Sequence, residues 1–203
     1  MRSTNYLQQY KKLAKVLRIL AQAGYLISAV LFVTLLPLAV YMSITRGYAI
    51  SIGISEKFYL GYVEWGVIRY NLAFAAAAIT PQHTISIINQ MLYTIVVYAA
   101  VSGGIFFYLS GVLKAVENGV PFERKNPRRI ASMGIIFIVG AFFVGTAQAS
   151  LAKIVILAMG LTGALSVNYS ANSSMLLAGF LLLILSSIFR YGSYLQEEYD
   201  ATL

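Results

Sequence analysis

The sequence predicts an all-α membrane protein: a four-transmembrane-helix bundle with a small extracytoplasmic β element drawn from the first and second external loops. Three observations predict it. Of 203 residues, 59% are hydrophobic and only 11% are charged, less than half the roughly 25% charge of an average soluble domain. Four apolar runs are each long enough to cross a hydrocarbon core about 30 Å thick, and caps and prolines punctuate them. Of the 15 lysines and arginines, 11 gather on one side of those runs.

Residues 1–18 carry Arg2, Lys11, Lys12, Lys15 and Arg18, with Leu7, Tyr10, Leu13 and Leu17 recurring at three- or four-residue steps. Two readings fit: a basic interfacial helix on anionic lipid, or a solvated extension of the first span. Residues 20–44 contain no charge and form span 1, with a kink expected at Pro37. In residues 46–79, Ile50, Ile52 and Ile54 alternate with Ser51, Gly53 and Ser55, and aromatic and β-branched residues follow. That pattern predicts external strands. Thr80 and Pro81 then make a cap followed by a proline at the first helical position, and nothing breaks the helix before residue 118. At about 1.5 Å per residue, a helix over 81–118 is about 57 Å long, so span 2 must overrun the hydrocarbon.

Gly119 suits the position just past that helix, and Pro121 prevents its continuation. Residues 119–126 are therefore a tight cytoplasmic link. Asn126 and Pro127 repeat the cap-and-proline start, and span 3 covers 128–148. Residues 149–172 read as an external segment with one strand at Leu165, Val167 and Tyr169. Asn172, Ser173 and Ser174 offer an N-cap for span 4 at 174–195, and residues 196–203 form an acidic tail. The whole chain is one membrane domain.

Eleven basic residues lie on the side of the link and the chain ends, against four (Arg46, Lys57, Arg69, Lys153) on the other. The positive-inside rule makes the first side cytoplasmic. The expected localisation is the bacterial cytoplasmic (inner) membrane, multi-pass, with both termini inside and the N-terminus retained. The net charge of +8 is explained by this flanking, so direct nucleic-acid binding is not expected. The lipid bilayer is the first partner, and a homo-oligomer or a protein partner the second.

The chain has no cysteine, one histidine (His83) and one aspartate (Asp200). A thiolate metal or redox site is excluded, and a lone histidine lacks the company that zinc needs. No nucleophile elbow or glycine-rich phosphate loop occurs. No enzyme, cofactor or metal is expected, and no small-molecule substrate can be named. No acidic or basic residue is buried within the apolar runs, since those in the spans lie toward their ends, which removes the usual marker of an ion-coupled transporter. Asn89, Gln90 and Gln148 read as interhelical glue, and the small residues Ala99 and Gly103, and Ala141, Gly145 and Ala149, read as stripes for close helix packing. Trp65, with Glu64, Tyr59, Tyr62 and Tyr70, fits either a recognition surface or packing at the bilayer interface.

The most specific local feature is Glu117, Asn118, Gly119, Val120, Pro121 and Phe122, followed by Asn126, Arg128 and Arg129. Turn chemistry explains most of it, with Phe122 tucking under the bundle and Asn126 capping the next helix. The charges suggest more: Glu117 near Arg128, Arg129 and Arg190, with Glu197, Glu198 and Asp200 following, as a cytoplasmic salt-bridge cluster and docking face. This link, with the run Ile188, Phe189, Arg190, Tyr191, Gly192 and the tail that follows, resembles the bacterial domain of unknown function 2975 family. The resemblance implies a small four-span membrane protein without an assigned activity, often encoded beside a short helix-turn-helix regulator. A regulatory or partner-docking protein is the leading expectation; an oligomeric pore or an accessory subunit of a transport complex is the alternative.

Overall fold

The computed structural model describes residues 2–45, 57–62, 70–75, 81–158, 160, 162 and 166–201. Its elements are α1 (Arg2–Thr45), β1 (Lys57–Tyr62), β2 (Tyr70–Ala75), α2 (Pro81–Glu117), α3 (Asn126–Ala158) and α4 (Ser173–Ala201). All four helices are long and apolar enough to cross a membrane. They run up, down, up and down, each packing chiefly on its neighbour in sequence: α1 on α2, α2 on α3, α3 on α4. The third helix is the most enclosed. Consequently α1 and α4 form no packed interface with each other, and both expose large apolar faces.

The face of α1 that meets α2 is written in a repeat. Ala14, Ala21, Ser28, Ala39 and Met42 are buried, and the half-buried Arg18, Phe32 and Leu35 fill the steps between them. The alternation of four- and three-residue steps is that of antiparallel helices meshing at a shallow angle. Small side chains predominate, which brings the two backbones close. Ser28 Oγ lies 3.0 Å from Ser102 Oγ across the seam, and the hydroxyl pair supplies a polar tie where lipid offers no hydrophobic drive.

Several boundaries differ from expectation. Helix α1 is unbroken from Arg2 through Pro37 to Thr45, so residues 2–18 continue into span 1 instead of forming a separate helix. Helix α3 does not stop near Gln148 but continues to Ala158. Residues 149–158 are apolar apart from Ser150 and Lys153, and neither breaks a helix. Their apolar side chains have a partner: Val155 and Ala158 bury against Ile87 of α2, with Leu151 and Ile154 alongside. The overlong start of α2 is thus matched by an overlong end of α3. Similarly, residues 196–201 are no loose tail but the last turns of α4.

The β element expected from both external loops is not supported as part of the architecture. No strand forms in 166–172; the end of that stretch lies against α3, where Asn172 N–H donates to Ala141 O at 3.0 Å and Ser170 O crowds Gly145. In the first loop β1 and β2 pair antiparallel, from Lys57 opposite Ala75 to Tyr62 opposite Tyr70. Among the described residues these two short strands have no third strand or covering helix, and so lack the burial that independent stability requires. The bundle is therefore all-helical. The run Ile50, Ile52 and Ile54, the cap at Thr80, and Glu64, Trp65 and Leu165 lie outside the described residues.

Candidate functional site

The segment 118–125 between α2 and α3 is the link. Gly119 takes φ 81°, the left-handed turn that glycine adopts without cost. Its N–H reaches Val116 O at 3.0 Å, and that of Val120 reaches Ala115 O at 2.9 Å. These are the two reversed bonds that close a helix end and satisfy its last carbonyls. The chain then turns through Pro121, with Glu123 N–H on Val120 O and Asn126 N–H on Glu123 O.

Asn126, fully buried, does not act as the cap expected of it. Its Nδ2 instead donates to Pro121 O at 2.8 Å, and its Oδ1 accepts from Arg129 Nη1 at 2.8 Å. The same guanidinium nitrogen lies 3.0 Å from Gly111 O and 3.3 Å from Glu123 Oε2. One arginine thus joins α2, the link and α3. Charge-assisted bonds in a half-buried setting are among the stronger kind.

On the other side, α4 supports the link. Phe122 and Phe189 stack with centroids 5.3 Å apart, and Gly192 leaves the room: a Cβ there would come within 2.7 Å of the Phe122 ring. Ser193 Oγ donates to Phe122 O at 2.5 Å, and Ser186 Oγ to Pro127 O at 2.7 Å. Phe122 tucks under the bundle as its sequence context suggests. Neither serine stood out in the linear reading, although Gly179, Ser186 and Ser193 recur every seven residues on one face of α4.

The expected salt-bridge cluster is arranged differently. Glu117 pairs with Arg18 of α1, Nε to Oε2 at 3.0 Å, by proximity rather than through an aligned hydrogen bond. Arg128 and Arg190 are exposed and make no ion pair among the described residues. Glu197 lies 3.8 Å from Arg124, both well exposed, a contact worth little in water. Glu198 accepts from Tyr194 OH at 3.0 Å.

Link and α4 together frame a shallow open groove of about 230 Å³, lined by Val120, Phe122, Glu123, Arg124, Ser193, Gln196 and Glu197. Val120 and Phe122 give it an apolar patch, and Glu123, Arg124 and Glu197 give it both signs of charge. It is smaller than the roughly 300–1,000 Å³ of small-molecule sites.

The small-residue stripes divide between partners. Gly103 faces Ser28 of α1, and Ala99 is buried. Ala141 and Ala149 are buried, while Gly145 makes room for the backbone entering α4 rather than for a helix. The closest helix crossing lies elsewhere. Gly134 of α3 and Gly179 of α4 face each other so closely that a Cβ on either would meet the other's carbonyl oxygen within 2.9 Å. Toward the opposite end of the bundle, Gln148 Nε2 bonds Tyr98 OH at 2.6 Å and Gln90 Nε2 lies 3.4 Å from Ala147 O.

No protein-family model, curated protein or solved structure matches the chain.

Proposed function

We propose that this chain is a non-enzymatic protein of the bacterial inner membrane, with the link and both helical ends in the cytoplasm, that docks a cytosolic protein in the groove between link and α4. The observation that carries this reading is the groove itself. It joins the two sequence motifs, 117–126 and 188–198, at the end of the bundle that holds eleven of the fifteen basic residues. The scaffold beneath is rigid: Arg129 and Asn126 hold the link from one side and Ser193 from the other. The exposed rim residues Arg124 and Glu197 remain available to a partner. The family resemblance points to a DNA-binding regulator as that partner.

A photo-crosslinking residue at Gln196 in living cells tests this. The expected result is one dominant protein adduct, lost when Arg124→Glu or Glu197→Lys is added in the same chain. Adducts with lipid alone, or a protein adduct indifferent to both reversals, would sink the docking reading. A second reading, an oligomer or accessory subunit within a transport complex, is favoured by the unpartnered outward faces of α1 and α4.

A further inference from the structure

We infer that Arg128 of α3 and Arg190 of α4 form a two-pronged site for the phosphate of one acidic phospholipid, in the leaflet at the link end of the bundle. The inference rests on the membrane reading of the preceding section, but neither on partner docking nor on which leaflet faces the cytoplasm. Both arginines are exposed, neither lines the groove, and neither makes an ion pair among the described residues.

One hydrogen bond fixes their spacing. Ser186 Oγ on Pro127 O sets the register of α4 against α3. Arg128 follows Pro127, and Arg190 stands one turn beyond Ser186 toward the link, so their Cα atoms lie about 8 Å apart along the bundle axis at about 1.5 Å per residue. Side chains on a helix lean toward its N-terminus. That is the link end for α3 and the far end for α4. Arg128 therefore leans toward the link, Arg190 leans away from it, and the two guanidiniums close on a common depth. Leu183, seven residues before Arg190 and on the same face of α4, packs on Gly134 of α3. Arg190 thus stands on the side of α4 that faces α3, at the mouth of the seam.

The surroundings select the occupant. Charge-free stretches begin within two residues of each arginine, 130–152 on α3 and 173–189 on α4, so the pair sits where hydrocarbon gives way to headgroups. Arg128 also heads a stripe of exposed apolar residues, Ile135 and Phe142, at seven-residue steps, a surface that acyl chains cover. Two guanidinium forks match the oxygens of a phosphate, and the exposed Lys125 of the link adds a third cation. The carboxylates of the link and of the α4 end lie by other groups: Glu123 by Arg129, Glu197 by Arg124 and Glu198 by Tyr194. With no counter-charge from the chain, the two arginines repel each other unless an anion sits between them. A zwitterionic headgroup would bring a further cation into that field, whereas an acidic phospholipid brings net negative charge. Basic sites between membrane helices take such headgroups.

The test is native mass spectrometry of the purified chain in mild detergent, titrated with phosphatidylglycerol or with phosphatidylcholine. We expect one phosphatidylglycerol per chain, bound in preference to phosphatidylcholine. Arg128→Gln and Arg190→Gln should each weaken it about fivefold, and the double change should remove the preference. Lys12→Gln with Lys15→Gln takes the same charge from α1 and should leave the preference standing. Equal loss in that control shows diffuse surface charge and overturns the proposal. Release of the bound lipid by inorganic phosphate assigns the site to a free anion and overturns the lipid. A chain that needs detergent but binds both lipids alike defeats this site alone; a chain that stays soluble without detergent defeats the membrane reading with it.

Discussion

Arg129 and Arg190 are both basic residues at the link end, yet their surroundings differ completely. Arg129 meets three acceptors from three segments, whereas Arg190 is exposed and unpaired among the described residues. Removing the partner of a buried charge-assisted bond strands a polar group, at about 1–3 kcal/mol. Asn126→Ala should therefore cost about 1–3 kcal/mol, and Arg129→Lys, which loses the planar fork, should also destabilise clearly. Arg190→Ala should stay within about 0.5 kcal/mol. Thermal unfolding of the purified protein in detergent checks the ranking; equal losses at Arg129 and Arg190 would contradict the geometry. Little of this was legible in the sequence. The turn at Gly119 was readable because φ above zero selects glycine locally. The partner of Glu117, Arg18, lies on another helix, and no local rule prefers it to the nearer Arg128 or Arg129.

Among the elements, α3 and α4 make the tightest crossing. A methyl on Gly179 would lie 2.6 Å from Ile138 Cγ1 and 2.8 Å from Gly134 O, whereas one on Gly103 would lie 3.3 Å from Ser28 Cβ. Backbone cannot yield as a side chain can. Gly179→Ala should thus cost about 1–3 kcal/mol and Gly103→Ala markedly less, by the same unfolding measurement. A reversed order would show that α1 and α2, not α3 and α4, form the tighter seam. Helix boundaries at Pro81, Gly119 and Asn126 were legible because their signals are local, although the Asn126 side chain binds Pro121 O and Arg129 instead of capping its helix. The run of α3 past Gln148 was not: Lys153 looked like a mark of the exterior, while the reason the helix continues is the apolar flank offered by Ile87 on another helix. The strand expected at Leu165, Val167 and Tyr169 does not form among the described residues 166–172, whose last residues, Ser170 to Asn172, lie against α3 instead.

At the scale of the molecule, four antiparallel helices put the N-terminal end of α1, the link and the C-terminal end of α4 on one side of any membrane they cross. Single cysteines at Gln196 and at Ser166, both exposed, should therefore label oppositely with a membrane-impermeant maleimide applied to intact spheroplasts. Ser166→Cys should react and Gln196→Cys should react only after permeabilisation; the opposite pattern would invert the orientation given by the basic residues. The paired overrun of α2 and α3 has a further consequence. Each carries 33 residues of apolar span, about 50 Å at 1.5 Å per residue. Fitting that length into a layer about 30 Å thick needs a tilt beyond about 50°, outside the 0–40° range of membrane helices. Part of the pair must lie beyond the hydrocarbon, at the charged link end, at the end where Ile87, Val155 and Ala158 pack together, or at both. Any part that stands in water is held together by water's exclusion of oily surface, a force that weakens on cooling, and the part in lipid by close contact.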